Sequence, residues 1–360
     1  MKVLHIIDML SAGGKERRLL ELLKNLKKNY PEVNNRLIVL NEDIFYDEFK
    51  NLGIDIICIN RKKVGALKTY SEIKKIFRLL KPEIVHSWGT VPSLYISFLK
   101  LKYKFKFINA LVASAPENLK FTKTWFYAKF SFFFSDLILS NSSAGLKAFG
   151  VSESKGRKIY NGFNNDRLKY CRDKDQVRKE LGVRTELAVC MVATFSDKKD
   201  YDTYLSAADA LTKKRTDVTF LSIGDGRNLT KFKEMYRNND RMIFTGSRKD
   251  VEDIVNSCDI AVLCTYGESL SNSILEYMAL GKPAIATDRG GNKEIIENSV
   301  SGYLFEHRNI EDFSRRLTLL LDDCDLRIRM GKRSQQIVKE KFSIGGMTKQ
   351  TYDLYAGMIK

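Results

Sequence analysis

Two glutamates in the stretch YGESLSNSILEYMALGKPAIATDRGG (266–291) are spaced to bind a ligand that carries both hydroxyl and phosphate groups. Glu268 and Glu276 stand eight positions apart, and a loop rich in serine and asparagine follows the first. A carboxylate accepts hydrogen bonds, and the vicinal hydroxyls of a sugar can donate two of them. The unpaired N–H groups at a helix start suit a phosphate. A phosphate beside a sugar diol describes a nucleotide diphosphate, and a further sugar could meet Glu268.

The elements around these glutamates are predicted to form a strand–loop–helix–strand unit. The apolar run DIAVLCT (259–265) is typical of a strand covered on both faces of a parallel sheet. Apolar residues recur at helical spacing over 273–280, where Ser269 or Ser271 can cap the start and Gly281 can end the helix. Isolated glutamates are usually only solvated side chains. Parallel sheets, however, bind ligands at the loops that follow their strands, so the agreement of these elements favours a binding site.

The rest of the chain repeats the same alternation of strand and helix patterns. Over 360 residues it predicts an α/β protein with two Rossmann-like parallel-sheet domains facing one cleft. The pattern breaks near 160–185, where a polar, turn-rich stretch is typical of a connection between domains. We therefore predict a first domain over 1–165, a second over 166–340, and a tail over 341–360 that packs back on the first domain.

Composition limits the classes of protein that this chain could be. No apolar stretch reaches the length of a membrane-spanning helix, and MKVLHIID is a strand pattern, not a signal peptide. Six cysteines without CxxC spacing predict reduced core thiols in a cytoplasmic protein. A metal site is not expected, because only three histidines are present and the DKD at 173–175 lies in the charged connection.

The net charge of +17 is concentrated in the first part of the chain, where residues 1–165 carry about +14. Lysines alternate with aromatic residues in FLKLKYKFKF (98–107) and LKFTKTWFYAKFSFFF (119–134). Phe132 is one of the aromatic residues expected on the same surface as the lysines. This face could lie on an anionic membrane, bind nucleic acid, or be a solvated basic surface beside a core helix. We favour the membrane, because no nucleic-acid-binding signature accompanies the charge. The lysines expected to meet the membrane are Lys100, Lys102, Lys104, Lys106, Lys120 and Lys123.

Weaker signals for phosphate binding stand at other strand ends. Gly13 and Gly14 separate the first strand pattern from a helix, which allows a backbone to approach an anion closely. Gly224 in GDG is more typical of a residue that shapes a strand exit. Lys198 and Lys199 follow VATFSD, and one of them could meet a pyrophosphate as a point charge, although a lone loop lysine is usually only solvated.

Taken in order, these motifs resemble those of glycosyltransferase family 4, the retaining enzymes with the GT-B fold. The resemblance covers nearly the whole chain and includes VLHIIDMLSAGGKERRLLEL, KIYNGFN, IGDGRNL, IFTGSRKDVEDIVNSCDI and the E-x7-E segment from Glu268 to Glu276. It implies a hexosyl- or N-acetylhexosaminyl-transferase that uses a nucleotide diphosphate sugar, commonly with UDP, and needs no metal or other cofactor. The implied acceptor is a saccharide or a lipid-linked saccharide in the assembly of bacterial-type surface glycans, at the cytoplasmic leaflet of the membrane.

The resemblance also implies roles for individual residues. Glu276 would bind the nucleotide ribose and Glu268 the donor sugar, while Lys199 and the amides that follow Glu268 would hold the diphosphate. Glu268 and Lys199 are the expected catalytic residues. The full expected donor site comprises Gly13, Gly14, Ser196, Lys199, Gly224, Thr245, Arg248, Glu268, Ser269, Leu270, Ser271, Asn272 and Glu276.

Two departures from the family pattern leave other interpretations open. Thr194 stands where the family usually has an arginine, which removes a bidentate anion donor. No histidine follows the strand pattern FINALVAS, and His86 in IVHSWG is as well explained by a structural role. The alternatives are a catalytically inactive GT-B partner subunit and, with less support, a basic nucleic-acid-binding protein.

Overall fold

The computed structural model describes residues 1–11, 13–112 and 119–359. Its contacts divide the chain into two compact units. The first unit consists of Met1–Gly162 and Ser343–Lys360, and the second of Phe163–Phe342. The last two residues of the predicted strand FINALVAS, at 113 and 114, lie outside the described ranges.

The first unit is built on a parallel sheet of seven strands. These are β1 (Lys2–Ile7), β2 (Asn34–Val39), β3 (Asp55–Cys58), β4 (Ile84–Trp88), β5 (Lys106–Val112), β6 (Leu137–Ser140) and β7 (Gly156–Lys158). Their order is β3-β2-β1-β4-β5-β6-β7, so the order reverses between β1 and β4. All five residues of β4 are buried, as expected for a central strand with helices on both faces.

The helices of the first unit cover both faces of this sheet. They are α1 (Gly14–Asn29), α2 (Arg61–Val64), α3 (Ala66–Leu80), α4 (Thr90–Lys100), α5 (Lys123–Phe134), α6 (Ser143–Ala148) and, at the end of the chain, α15 (Ile344–Ile359). Alternate residues of β1 join different cores: Val3 packs with the residues of α1 and α15, and Leu4 with those of α3 and α4. Tyr352 of α15 stacks on Tyr30, with ring centroids 4.0 Å apart.

The second unit holds a parallel sheet of six strands. These are β8 (Leu187–Val192), β9 (Val218–Ile223), β10 (Met242–Gly246), β11 (Ile260–Leu263), β12 (Ala284–Thr287) and β13 (Gly302–Phe305). The order is β10-β9-β8-β11-β12-β13, which reverses between β8 and β11. The two sheets confirm the predicted fold class of two Rossmann-like parallel-sheet domains. In such sheets, ligands bind beyond the carboxyl ends of the strands at the reversal point.

The second unit has its own helices on both faces of the sheet. They are α7 (Lys174–Leu181), α8 (Tyr201–Lys214), α9 (Leu229–Met235), α10 (Val251–Ser257), α11 (Asn272–Ala279), α12 (Asn292–Ile295), α13 (Ile310–Asp322) and α14 (Cys324–Lys341). Short 3₁₀ turns occur at Asp47–Phe49 in the first unit and at Asn165–Leu168 in the second.

The helix predicted over 273–280 is α11, which begins one residue earlier. Of the two serines proposed as its cap, Ser271 is the one whose hydroxyl accepts from the N–H of Ile274. Gly281 has a φ of +70°, a left-handed conformation that favours glycine and ends the helix.

The expectation that the cysteines are core thiols is wrong in part. Cys58 and Cys324 are exposed and are not core thiols, whereas Cys190, Cys258 and Cys264 are buried. All six cysteines have free thiols.

The basic aromatic stretch also differs from its prediction at two positions. Lys100 is half-buried, with its Nζ 2.6 Å from Asp136 Oδ2, so it is not a surface cation. Phe132 is buried among Leu119, Ala128 and Phe149 and belongs to the core. Among the described residues, no helix has the length and apolar character needed to cross a membrane.

Candidate active site

The loop that follows β8 and the end of β11 meet at the point where the strand order of the second unit reverses. The N–H of Asp200 donates to the carbonyl of Cys264 at 3.0 Å, and the N–H of Tyr266 donates to the carbonyl of Lys198 at 3.1 Å. These bonds hold the two loops side by side. The pairing brings Lys199 next to Glu268, although 69 positions separate them in the sequence.

Lys199 and Glu268 form an ion pair in this loop contact. Their side chains are 13% and 24% exposed, so the pair is largely shielded from water. Burial, together with the neighbouring charge of Lys198, lowers the pKa of Lys199 to about 8. Lys199 therefore remains mainly charged at pH 7, and contact with the Glu268 carboxylate favours the same form. A cation held in this way can bind an anionic ligand.

Helix α11 is attached to the carboxyl end of β8 by two of its side chains. The Ser273 hydroxyl donates to the carbonyl of Val192 at 3.0 Å, and the N–H of Val192 donates to the Tyr277 hydroxyl at 2.7 Å. The amino end of the helix therefore lies at the edge of the sheet where the strands finish. Ser269 and Leu270, in the loop that leads into the helix, are buried. A helix N-terminus carries partial positive charge that favours an anion.

The loop DRGG after β12 fixes the backbone of Glu268. The N–H of Gly291 donates to the carbonyl of Glu268 at 2.9 Å. Gly290 has a φ of +57°, and a Cβ at this position would lie 2.0 Å from the same carbonyl oxygen. Only glycine fits such a close approach in this conformation.

Glu276, one turn into α11, is held by Arg167. The Arg167 Nη2 donates to Glu276 Oε1 at 3.1 Å, and the same guanidinium binds Glu252 of α10 through Nε at 2.7 Å. Sequence reasoning missed Arg167, because it is one of many charged residues in the polar connection and no local pattern distinguishes it. Only its position three residues after the motif YNGFN could have drawn attention to it.

Several other predicted site residues lie at neighbouring strand ends of the same unit. Gly224, after β9, has a φ of +144°, and its N–H donates to the carbonyl of Gly246 at 3.0 Å. Thr245 lies in β10 beside that contact, whereas Arg248 pairs with Asp250 at 2.7 Å. These positions line the exits of β9 and β10.

Thr194 and Ser196 lie in the loop after β8 and bring two hydroxyl groups to the carboxyl end of that strand. The hydroxyls of Ser196 and Thr194 lie 3.4 Å apart, and Thr194 is exposed. Of the two lysines in the loop after β8, Lys198 is exposed and Lys199 is partly buried.

Gly13 and Gly14 belong to the first unit, at the start of α1. Gly13 is the N-cap residue and Gly14 the first helical residue. Lys15 Nζ lies 2.5 Å from Asp8 Oδ1, beyond the end of β1. This ion pair stands at the reversal point between β1 and β4, and sequence reasoning did not find it.

His86 is a structural residue and not a member of an open site. It is fully buried, and its Nδ1 lies 2.7 Å from the hydroxyl of Tyr355 in α15. Burial, followed by the charges of His5 and Arg18, lowers the pKa of His86 well below its usual value, so the ring is neutral at pH 7. Through this bond β4 holds the helix at the end of the chain.

Comparison with known proteins places these features in a family context. Residues 173–337 match the family described as Glycosyl transferases group 1. The N-acetyl-alpha-D-glucosaminyl L-malate synthase of Bacillus anthracis is 28% identical over 207 residues, which are 56% of this chain and 54% of that protein. The UDP-Gal:alpha-D-GlcNAc-diphosphoundecaprenol alpha-1,3-galactosyltransferase of Escherichia coli is 22% identical over 381 residues, covering 100% of this chain and 97% of that protein.

A solved structure agrees over almost the whole chain. The crystal structure of Anabaena Alr3699/HepE with UDP and glucose superposes with a TM-score of 0.86 and 18% identity, covering 99% of each chain. At this level of identity, the likeness is one of fold.

Proposed function

We propose which substrates this chain uses. The chain is a GT4-like glycosyltransferase with the GT-B fold. It takes a sugar from a nucleotide diphosphate sugar, with UDP as the nucleotide, and transfers it to a saccharide carried on a lipid. The name of the Escherichia coli relative gives UDP-Gal as its donor and a diphosphoundecaprenol-linked sugar as its acceptor. The Anabaena structure contains UDP. Both support the proposal.

The observation that carries the proposal is the arrangement at the carboxyl ends of β8 and β11. A partly buried cation, Lys199, lies there beside Glu268, and the same edge of the sheet bears the amino end of α11. The diphosphate would bind to Lys199 and to the amides at 269–272, the donor sugar to Glu268, and the ribose to Glu276. Gly224, Thr245 and Arg248 would border the base.

In the proposed reaction, the bond between the anomeric carbon and the diphosphate oxygen breaks. A bond to the acceptor hydroxyl oxygen forms on the same face of the sugar, and the hydroxyl proton passes to the leaving diphosphate. The sugar therefore keeps its anomeric configuration. Lys199 and the end of α11 stabilise the negative charge that develops on the diphosphate. Glu268 orients the sugar, and its contact with Lys199 argues against a role as covalent nucleophile.

A donor and acceptor screen tests this function. The full chain is incubated with UDP-hexoses, UDP-N-acetylhexosamines and GDP-mannose, together with an undecaprenyl-diphosphate-linked saccharide. The mass of the lipid product is then measured by mass spectrometry. We expect one hexose or N-acetylhexosamine to be added from one UDP-sugar, and NMR to find the donor's anomeric configuration retained. If UDP binds but no donor gives a product, the chain is an inactive partner subunit. If UDP does not bind, the donor assignment is wrong.

We also propose that the first unit rests on the anionic membrane that carries the lipid-linked acceptor. Aromatic side chains of α4, α5 and the turn before α5 are exposed, including Phe98 at 48%, Phe121 at 78% and Phe133 at 77%. The rings of Phe98 and Phe130 lie 5.6 Å apart, so the two helices share one apolar surface. We call this surface, with the exposed lysines Lys102, Lys104, Lys106, Lys120 and Lys123, the basic aromatic face.

The composition of the basic aromatic face suits a lipid surface. Aromatic rings are favoured in the interfacial layer of a bilayer, and lysines near an anionic leaflet are attracted to it. Enzyme bound in this way at the inner leaflet would meet an acceptor whose lipid remains in the bilayer.

A further inference from the structure

Arg167 links two carboxylates that come from different helices of the second unit. Its guanidinium binds Glu252 of α10 and Glu276 of α11, and the three side chains are 19%, 15% and 18% exposed for Glu252, Glu276 and Arg167. The Cζ atom of Arg167 also lies over the ring of Phe163, 5.2 Å from the ring centroid. Arg167 is therefore held from three sides.

The chemistry of this cluster depends on the arginine. Two carboxylates that share one site repel each other, and a cation bound to both offsets that repulsion. Although burial opposes its charge, Glu276 and Glu252 raise the pKa of Arg167, so the cation is permanent at any pH where the protein is folded. Loss of a partner from a buried ion pair leaves an uncompensated charge, and a carboxyl group in that position takes up a proton.

The state of Glu276 determines what the residue can bind. An ionised carboxylate is an acceptor only, and it can receive both hydroxyls of a vicinal diol. A protonated carboxyl group presents a donor on one oxygen and is free to rotate. We propose that Arg167 is a positioning residue that keeps Glu276 ionised and oriented for the two ribose hydroxyls of the nucleotide, so that selectivity for ribose over deoxyribose depends on it. This inference rests on the proposed function, in which Glu276 binds the ribose.

The test compares binding of UDP and 2′-deoxy-UDP by isothermal titration calorimetry on the full chain. Arg167→Gln removes the charge but keeps an amide donor, and Arg167→Lys keeps the charge but loses the planar fork. Arg333→Gln is the matched control, because Arg333 forms a two-point ion pair with Glu297 in the same unit. Circular dichroism verifies that each variant is folded.

We expect the unmodified chain to bind UDP at least about tenfold more tightly than 2′-deoxy-UDP, which is the value of one hydrogen bond to a charged group. In Arg167→Gln this preference should fall to less than about threefold, through weaker binding of UDP. Arg167→Lys should recover part of the preference, and Arg333→Gln should keep all of it. If Arg167→Gln does not fold, Arg167→Lys carries the test, with a preference below that of the unmodified chain.

Failure of the inference and failure of the proposed function give different results. A normal preference for UDP in folded Arg167→Gln, or tighter UDP binding in that variant, overturns the positioning role and leaves the ribose assignment intact. An unmodified chain that binds UDP and 2′-deoxy-UDP equally overturns the ribose assignment of Glu276, and the inference with it.

Discussion

At the scale of single residues, the two glutamates of one segment have different partners. Glu268 pairs with Lys199 at the exit of β8, and Glu276 pairs with Arg167. Glu268 binds the cation that is proposed to hold the diphosphate. Glu276 binds an arginine and is proposed to accept the ribose hydroxyls. The two glutamates should therefore respond differently to the same substitution.

Glu276→Ala should weaken the binding of UDP about 10- to 100-fold, because the ribose loses hydrogen bonds to a charged acceptor. Glu268→Ala should reduce transfer more than UDP affinity, because Lys199 is then released to the diphosphate while the sugar loses its orienting group. Calorimetry with UDP and a transfer assay on both variants check this pair. Unchanged UDP affinity in Glu276→Ala would contradict its assignment to the ribose.

The shifted pKa of Lys199 predicts that UDP binding depends on pH. The ammonium group is charged below its pKa of about 8 and neutral above it, so UDP affinity should fall as the pH rises from 7 to 9. Lys199→Arg keeps a charged side chain across this range and should flatten the profile. Titrations at several pH values measure both curves. A profile in Lys199→Arg as steep as that of the unmodified chain would assign the pH dependence to another group.

At the scale of elements, the loop after β12 supports the loop after β11. Gly290→Ala should destabilise the protein by more than about 2 kcal/mol, because the new Cβ adds a steric clash to the cost of a left-handed φ. It should also weaken UDP binding, since the clash is with the backbone of Glu268. Gly182→Ala is the matched control: its φ is +76°, and nothing lies within 4 Å of its Cβ. Thermal unfolding and UDP titration should find lower stability in both variants but weaker binding only in Gly290→Ala.

At the scale of the whole molecule, the uneven charge predicts reversible binding to anionic vesicles that weakens as salt is raised. Each lysine near the surface contributes about 1 kcal/mol, so reversing Lys102, Lys104, Lys120 and Lys123 to Glu should weaken binding by at least about a hundredfold. Lys100 is excluded from this set, because its ion pair with Asp136 is part of the fold.

The control for this prediction reverses four exposed lysines of the second unit, Lys179, Lys214, Lys233 and Lys339. Co-sedimentation with anionic and neutral vesicles measures binding for both variants. An equal loss of vesicle binding in the control variant would show that binding depends on the net charge of the protein and not on the basic aromatic face. No binding of the unmodified chain to anionic vesicles would make the basic aromatic face a solvated surface and favour a soluble acceptor.

The sequence by itself determined the elements and the class of fold. Apolar runs such as IAVL in β11 and the helical spacing of α11 reflect burial and hydrogen bonding within a few residues, which local sequence records directly. The motif order was sufficient to indicate a glycosyltransferase. The spacing of Glu268 and Glu276 predicts a donor site in the loop after β11, and this stays a prediction.

Only the tertiary structure decided which residues meet. Lys199 contacts Glu268, 69 positions away, because the strand order places β8 beside β11. Arg167 contacts Glu276, 109 positions away, because the 3₁₀ turn at 165–168 lies against α10 and α11. The same holds within α5, where the helical turn buries Phe132 and exposes Phe133. No local pattern specifies these contacts, because they arise from the order and packing of distant elements.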